Sequence, residues 1–218
     1  MQNARQADSL PFTLQAHPDT RATNGTVGPT RARVVEWDDP AALAASGREM
    51  AGLDFLRAMV DGDLPAPPVA RLLGMRIVAV EWGVATFTLT PCESLYNPIG
   101  MVHGGVTATL LDSAMGCAVH SELPAGVGYT TLELKANYLR PIVAETGTVR
   151  CRARVVHRGG TVATAEARVW READEELLAH ATTTCLILRP GGGDGNDRQA
   201  TASSRSERDG SDAAARAS

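Results

Sequence analysis

No apolar run in this 218-residue chain approaches the ~20 residues that a membrane-crossing helix requires. The first residues carry no basic patch followed by an apolar core, so no secretory signal is expected there. Cysteine is scarce: Cys92, Cys117, Cys151 and Cys185 are widely separated and form neither a CxxC pair nor a Cys/His cluster. A disulfide framework or thiolate metal site is thereby set aside in favour of reduced, buried thiols. An excess of positive charge is missing too, and the net charge of −4 argues against a general nucleic-acid binder. Together these absences predict a cytoplasmic protein with no nucleic-acid or membrane partner, no metal and no cofactor.

What is present is the composition of a globular protein, 44% apolar, with room for one domain of roughly 150 residues plus tails. Residues 1–40 mix Gln, Asn, Asp, Thr, Gly and Arg without periodicity and read as a disordered tail. Over 41–66 a helical extension is expected. Leu43, Met50, Leu53, Leu56 and Met59 fall at helical spacing from Pro40 to Val60, and Asp61-Gly62-Asp63 ends that run. One folded domain is expected over 67–189. Val69–Leu73 reads as a short helical turn, and Met75–Trp82 with Val84–Thr90 as a hairpin split at Gly83. A long apolar helix follows, from Gly104 to about Glu122, and then strands at Thr130–Leu139, Gly147–Val156, Thr161–Trp170 and Leu177–Leu188. In the second of these strands Val149, Cys151, Ala153 and Val155 alternate with Arg150, Arg152 and Arg154. Residues 190–218 are rich in Gly, Ser, Asp, Arg and Ala and read as a second disordered tail. A helix apolar on most sides must be covered, so the expected fold class is α+β, an antiparallel sheet curved around a central helix.

The stretch Asn97–Asp112 concentrates the chemistry. A polar loop (Asn97, Gly100, His103) leads into Gly104 and Gly105, then an apolar helical run carrying one acid, Asp112. Free backbone N–H groups at a glycine-opened helix favour an anion, or a carbonyl oxygen gaining charge during reaction. An unpaired carboxylate among Leu110, Leu111, Ala114 and Met115 is costly, which marks Asp112 for function. At ~1.5 Å per residue, Asp112 lies roughly 10 Å along the axis from Gly105, too far for both to act on one atom within one chain. Two antiparallel copies of the helix across a two-fold axis would solve this, so a homodimer follows from the mechanism. The matching chemistry is acyl transfer to water. Gly104, Gly105 and Asn97 polarise a carbonyl, Asp112 activates water or attacks, and His103 fixes the loop or assists the leaving group. No Ser-His-Asp spacing is present, and a thioester is reactive enough for so sparse a site.

These residues resemble the PaaI-type thioesterases of the hotdog fold. The resemblance rests on Asn-x-x-Gly-x-x-His-Gly-Gly at Asn97–Gly105, Asp112 in Leu-Leu-Asp, Thr130-Thr131-Leu-Glu-Leu-Lys, and Asn137-Tyr138-Leu-Arg-Pro141, and extends from about Leu53 to Leu188. It implies hydrolysis of acyl-CoA, with aryl or short to medium acyl groups, and Asp112 as base or nucleophile. Gly105 is implied as the main backbone donor, with Asn97 and His103 in the polar loop. Thr131 or Thr130 supplies a hydroxyl to hold the water. Gly104, Thr130, Met101, Arg140 and Arg158 are expected on the substrate. After Arg158-Gly159, where relatives carry another basic residue, this chain has Gly160. The resemblance also implies a dimer, usually paired into a tetramer, with active sites at the dimer interface.

The rival readings are a non-catalytic acyl-CoA-binding module on the same fold and a hotdog dehydratase or hydratase. The acid favours the enzyme over the binder, and His103 is not set as a proton-transfer pair with Asp112. Blander roles also exist: His103 and Asn97 as loop residues, and the arginine face as a solvated or subunit-facing surface paired with acids such as Glu166, rather than a guide for CoA phosphates. For the acyl group, Met101, Leu111, Met115 and the apolar residues of Met75–Leu89 are the expected pocket lining.

Overall fold

The computed structural model describes residues 15–16 and 30–190; of the expected tails, 1–14, 17–29 and 191–218 lie outside the described residues. Two short strands, β1 (Gln15–Ala16) and β2 (Arg31–Ala32), pair antiparallel within the segment read as the first tail.

The helical run expected from Pro40 to Val60 is two helices, α1 (Pro40–Glu49) and α2 (Gly52–Asp61). Asp39 caps the first, its Oδ1 accepting from the Ala41 N–H at 2.9 Å. Met50 and Ala51 between them are extended. The break is imposed from outside. Gly52 sits so close to the end of the central helix that a Cβ on it would lie 1.8 Å from the His120 carbonyl oxygen. Its N–H donates to the Leu123 carbonyl at 2.9 Å, so an orphan donor at the start of α2 is satisfied by another element. Gly62 ends α2 in the left-handed conformation, φ 84°. A short helix, α3 (Pro68–Leu73), follows.

Period-two alternation then takes over in β3 (Met75–Glu81) and β4 (Val84–Leu89). The long helix α4 (Gly104–His120) comes next, and then β5 (Gly128–Tyr138), β6 (Val149–Arg158), β7 (Val162–Arg171) and β8 (Leu177–Leu188). The six strands β3 to β8 form one antiparallel sheet in the order β3-β4-β6-β7-β8-β5, with α4 packed across it. This is the expected α+β class.

Sheet residues facing α4 are mostly small: Ala85, Ala153, Ala163, Ala165, Ala167, Ala179 and Ala181 are buried. They leave room for Leu110, Leu111, Met115 and Val119 of the helix, all buried. Each such large side chain stabilises the fold by about 1.5–3 kcal/mol relative to leaving it in water. The arginine alternation on β6 holds: Arg150, Arg152 and Arg154 are exposed while Val149, Cys151 and Ala153 are buried. Arg154 pairs with Glu166 at 2.7 Å, and Arg150 pairs with Glu172.

Strand β5 is what sequence order does not reveal. It leaves α4 and pairs with β8, the last strand, at the far edge of the sheet. Its other edge has no partner among the described residues, yet it is eleven residues long and exposes Leu132 and Tyr138. No helix among the described residues is long and apolar enough to cross a membrane.

Candidate active site

The loop before α4 is closed by Asn97. Its Oδ1 accepts from the Ile99 and Met101 N–H groups at 3.1 and 3.2 Å, and its own N–H donates to the Met101 carbonyl at 2.7 Å. Gly100, at φ 81°, makes the turn possible. The His103 N–H then bonds the Leu95 carbonyl at 2.8 Å, which delivers His103 to the N-cap of α4.

His103 is exposed, and its Nδ1 accepts from the Gly105 N–H at 2.9 Å. An accepting Nδ1 carries no proton, so the ring's N–H is at Nε2. The two glycine N–H groups therefore differ. The Gly105 N–H, which the resemblance makes the main donor, bonds the His103 ring in this chain. The Gly104 N–H, at the first helical position, has no acceptor among the described residues. Tyr138, the last residue of β5, holds this turn, its hydroxyl donating to the Gly104 carbonyl at 3.0 Å.

Two turns along the helix, the Thr131 hydroxyl of β5 donates to Asp112 Oδ1 at 2.9 Å. Of the two threonines the resemblance implies, Thr131 reaches the acid, while Thr130 is exposed. Asp112 is half-buried rather than enclosed, because it lines a cavity of about 460 Å³. Met75, Phe87, Cys117 and Tyr129 share that lining, as do Met59 of α2 and Ala70 of α3. Burial, with the nearby Asp112 charge, pushes the Cys117 thiol up to about 12. Burial also raises the Tyr129 phenol well above its ordinary value, helped by Cys117, Cys185 and Asp112. Neither group therefore competes with the carboxylate as a nucleophile at neutral pH.

Several expected residues lie elsewhere. Leu111 and Met115 are fully buried in the core and do not line this cavity, because their side of α4 packs on the sheet. Met101 belongs to the Asn97 turn and is absent from the lining. Arg140 bonds Glu176 at 2.7 Å and the Leu177 carbonyl at 2.8 Å, fixing the start of β8. Arg158 bonds Glu122 at 2.9 Å, beyond the opposite end of α4 from Gly104. Both guanidinium groups are thus engaged within the chain.

Gly116, Cys117 and Tyr129 were not anticipated. A Cβ on Gly116 would lie 2.4 Å from the Tyr129 hydroxyl oxygen, so only glycine lets that ring lie against the helix. In the sequence, Gly116 stands within an apolar helical run, and its partner on β5 carries no local signal.

Comparison with known proteins adds three relatives. The thioesterase superfamily model matches residues 99–178. A Halobacterium salinarum protein bearing an esterase name is 46% identical over 77 residues, covering 34% of this chain and 49%, about half, of that protein. The 1,4-dihydroxy-2-naphthoyl-CoA hydrolase of Listeria monocytogenes is 29% identical over 117 residues, 54% of this chain and 93% of that enzyme. A solved phenylacetic acid degradation-related protein of Ralstonia eutropha is 34% identical with a TM-score of 0.54, covering 60% of this chain and 98% of that one. The six-stranded sheet with one long helix is the hotdog architecture of these neighbours.

Proposed function

The chain belongs to the thioesterase superfamily, whose chemistry is thioester hydrolysis, and from that premise we propose that it hydrolyses acyl-CoA to a free acid and CoA. The observation that carries this reading is the 2.9 Å bond from Thr131 to Asp112 at the wall of an apolar cavity. That bond orients one carboxylate oxygen and leaves the other for a water molecule. Asp112 takes a proton from the water, and the water oxygen bonds to the acyl carbon. The carbonyl oxygen, now an anion, is held by the Gly104 N–H and the positive end of α4. Collapse of this intermediate breaks the carbon–sulfur bond, and the proton passes to the departing CoA sulfur. The CoA-hydrolase name of the Listeria relative supports CoA as the thiol portion.

Gly104 and Asp112 serve one carbonyl only if they come from two chains. Strand β5 offers the means: Tyr138 near one end touches Gly104, and Thr131 near the other touches Asp112. A second copy pairing its β5 antiparallel to the first, about a two-fold axis near Leu134, brings Asp112 of one subunit level with Gly104 of the partner subunit. The unpaired, partly apolar edge of β5 is the kind of surface such pairing covers.

Incubation with a panel of acyl-CoAs, following free thiol, tests the activity. Asp112→Asn keeps the shape of the side chain and should lower kcat by about 10²–10⁴-fold while light scattering still shows a dimer. Unchanged turnover in that variant removes Asp112 from the reaction.

A further inference from the structure

The cavity beside Asp112 does not end at Tyr129. A second hollow of about 340 Å³ adjoins it, and the two share Met59, Pro67, Cys117 and Tyr129 in their walls. Leu43 and Ala44 of α1 line the second hollow together with Phe55, and His120 lies at its side. All of α1, α2 and α3 precede residue 99, where the thioesterase match begins. These walls therefore come from outside the matched residues.

Resting on the acyl-CoA reading above, we infer that the two hollows are one channel, walled on one side by α1, that takes the tail of a medium-chain alkyl acyl group. Three observations carry this. The first is continuity: Asp112 lines the first hollow, and the shared residues lead from it to the second. The second is chemistry. Among the described residues no charged side chain lines the second hollow, and His120 stands there between the Phe55 and Tyr129 rings, each with its centroid 5.8 Å away. The third is length. Asp112 to His120 is eight residues of helix, about 12 Å. An extended chain advances roughly 1.2 Å per bond, since a residue of three bonds spans about 3.3–3.6 Å. A tail of about ten carbons fits.

Tyr129 lines both hollows, and Gly116 lets its ring lie against the helix. With a Cβ on Gly116 only 2.4 Å from the Tyr129 hydroxyl and 2.9 Å from ring carbons, the ring has to leave the helix face. The free direction is the channel whose walls it already forms.

The test uses the whole chain and a ladder of S-alkyl-CoA thioethers from ethyl to hexadecyl, with affinity read by calorimetry. Affinity should climb with each methylene, by up to about fourfold where burial is complete, and level off near ten carbons. Leu43→Trp fills the far end and should lower the dodecyl-to-ethyl affinity ratio at least tenfold. Ala44→Trp, at an exposed position of α1, gives the same readout should Leu43→Trp prove unfolded in a melting curve. Gly116→Ala should cut the ladder short nearer to Asp112. Affinity that is flat beyond butyl, or a dodecyl-to-ethyl ratio unmoved in a folded tryptophan variant, overturns the channel. Thioethers cannot be hydrolysed, so the ladder is independent of turnover. A protein that cleaves acyl-CoA with a flat ladder refutes the channel alone, and a steep ladder without cleavage refutes the enzyme alone.

Discussion

At the first turn of α4 the cap is local: His103 bonds Gly105 two residues away, and Asn97 closes the loop before it on Ile99 and Met101. From Asp112 onward the partners are distant. Thr131 is 19 residues off, Tyr129 packs against Gly116, and Gly52 approaches the His120 carbonyl from α2. One end of the helix thus presents a backbone N–H on a cap built mostly by neighbouring sequence and tied down by Tyr138 of β5, and the other a half-buried acid and apolar hollows built by β5 and α1–α3. A reaction that needs both a donor and a base can be tuned at each separately. Changes at the first turn should act on charge stabilisation, and changes around Asp112 on the base and the acyl tail.

The sharpest break in that comparison is Gly104→Pro. Proline suits the first helical position and removes the N–H, and its Cβ meets the Tyr138 ring at 3.4 Å, an ordinary van der Waals contact. Proline also restricts the residue before it to extended backbone, which His103 already adopts at φ −59° and ψ 135°. Substituting Gly105 instead would force that restriction on Gly104, a helical residue. The expected result is a fall of about 10²–10³-fold in kcat with the circular dichroism spectrum retained. Turnover near the wild-type value would move the oxyanion donor away from Gly104.

A smaller effect is expected on the other side. Thr131→Val removes the hydroxyl that orients Asp112, an interaction with a charged group of the kind worth about 1.5–3 kcal/mol. In kinetic terms kcat should drop by about tenfold or more, and Thr131→Ser should restore most of it. A change in KM alone would make Thr131 a substrate contact rather than a positioning residue for the base.

The same division explains what was legible in the sequence. Asn97, His103 and the glycines sit within one short loop, so their grouping is visible in the sequence, whereas the bond from the Gly105 N–H to the His103 ring is a matter of side-chain geometry that spacing does not state. The helix α4 was visible because Leu110, Leu111, Ala114 and Met115 are all apolar. For that reason the sequence does not distinguish its faces, and Leu111 and Met115, which fill the core, read from sequence as pocket lining. The break at Met50–Ala51 was hidden because its cause, the His120 and Leu123 carbonyls, lies about 70 residues on. The edge position of β5 was hidden because residues 139–148, which carry the chain on to β6, have no periodicity that states where they go.

The last turn of α4 yields the gentlest test, through pH. Burial lowers the pKa of His120 below its ordinary value, and Nδ1 is enclosed without a hydrogen-bond partner among the described residues. Its aromatic neighbours, Phe55 and Tyr129, supply no charge to stabilise an imidazolium. The unfolded chain therefore binds a proton at His120 over a pH range in which the folded chain does not, and stability rises with pH across that range. The contribution is fully present above about pH 6.5, the ordinary histidine value, and is lost as pH falls through the lowered one. Melting temperature should drop by a few degrees between pH 7 and pH 5, at about 2–4 °C for each kcal/mol lost in a chain of this size. His120→Leu keeps an apolar side chain against Phe55 and should flatten that part of the profile, leaving only the slope from carboxylates at lower pH. Parallel profiles for the two proteins between pH 7 and pH 5 would show that His120 reaches solvent, and that the two ends of α4 are less different in burial than their contacts indicate.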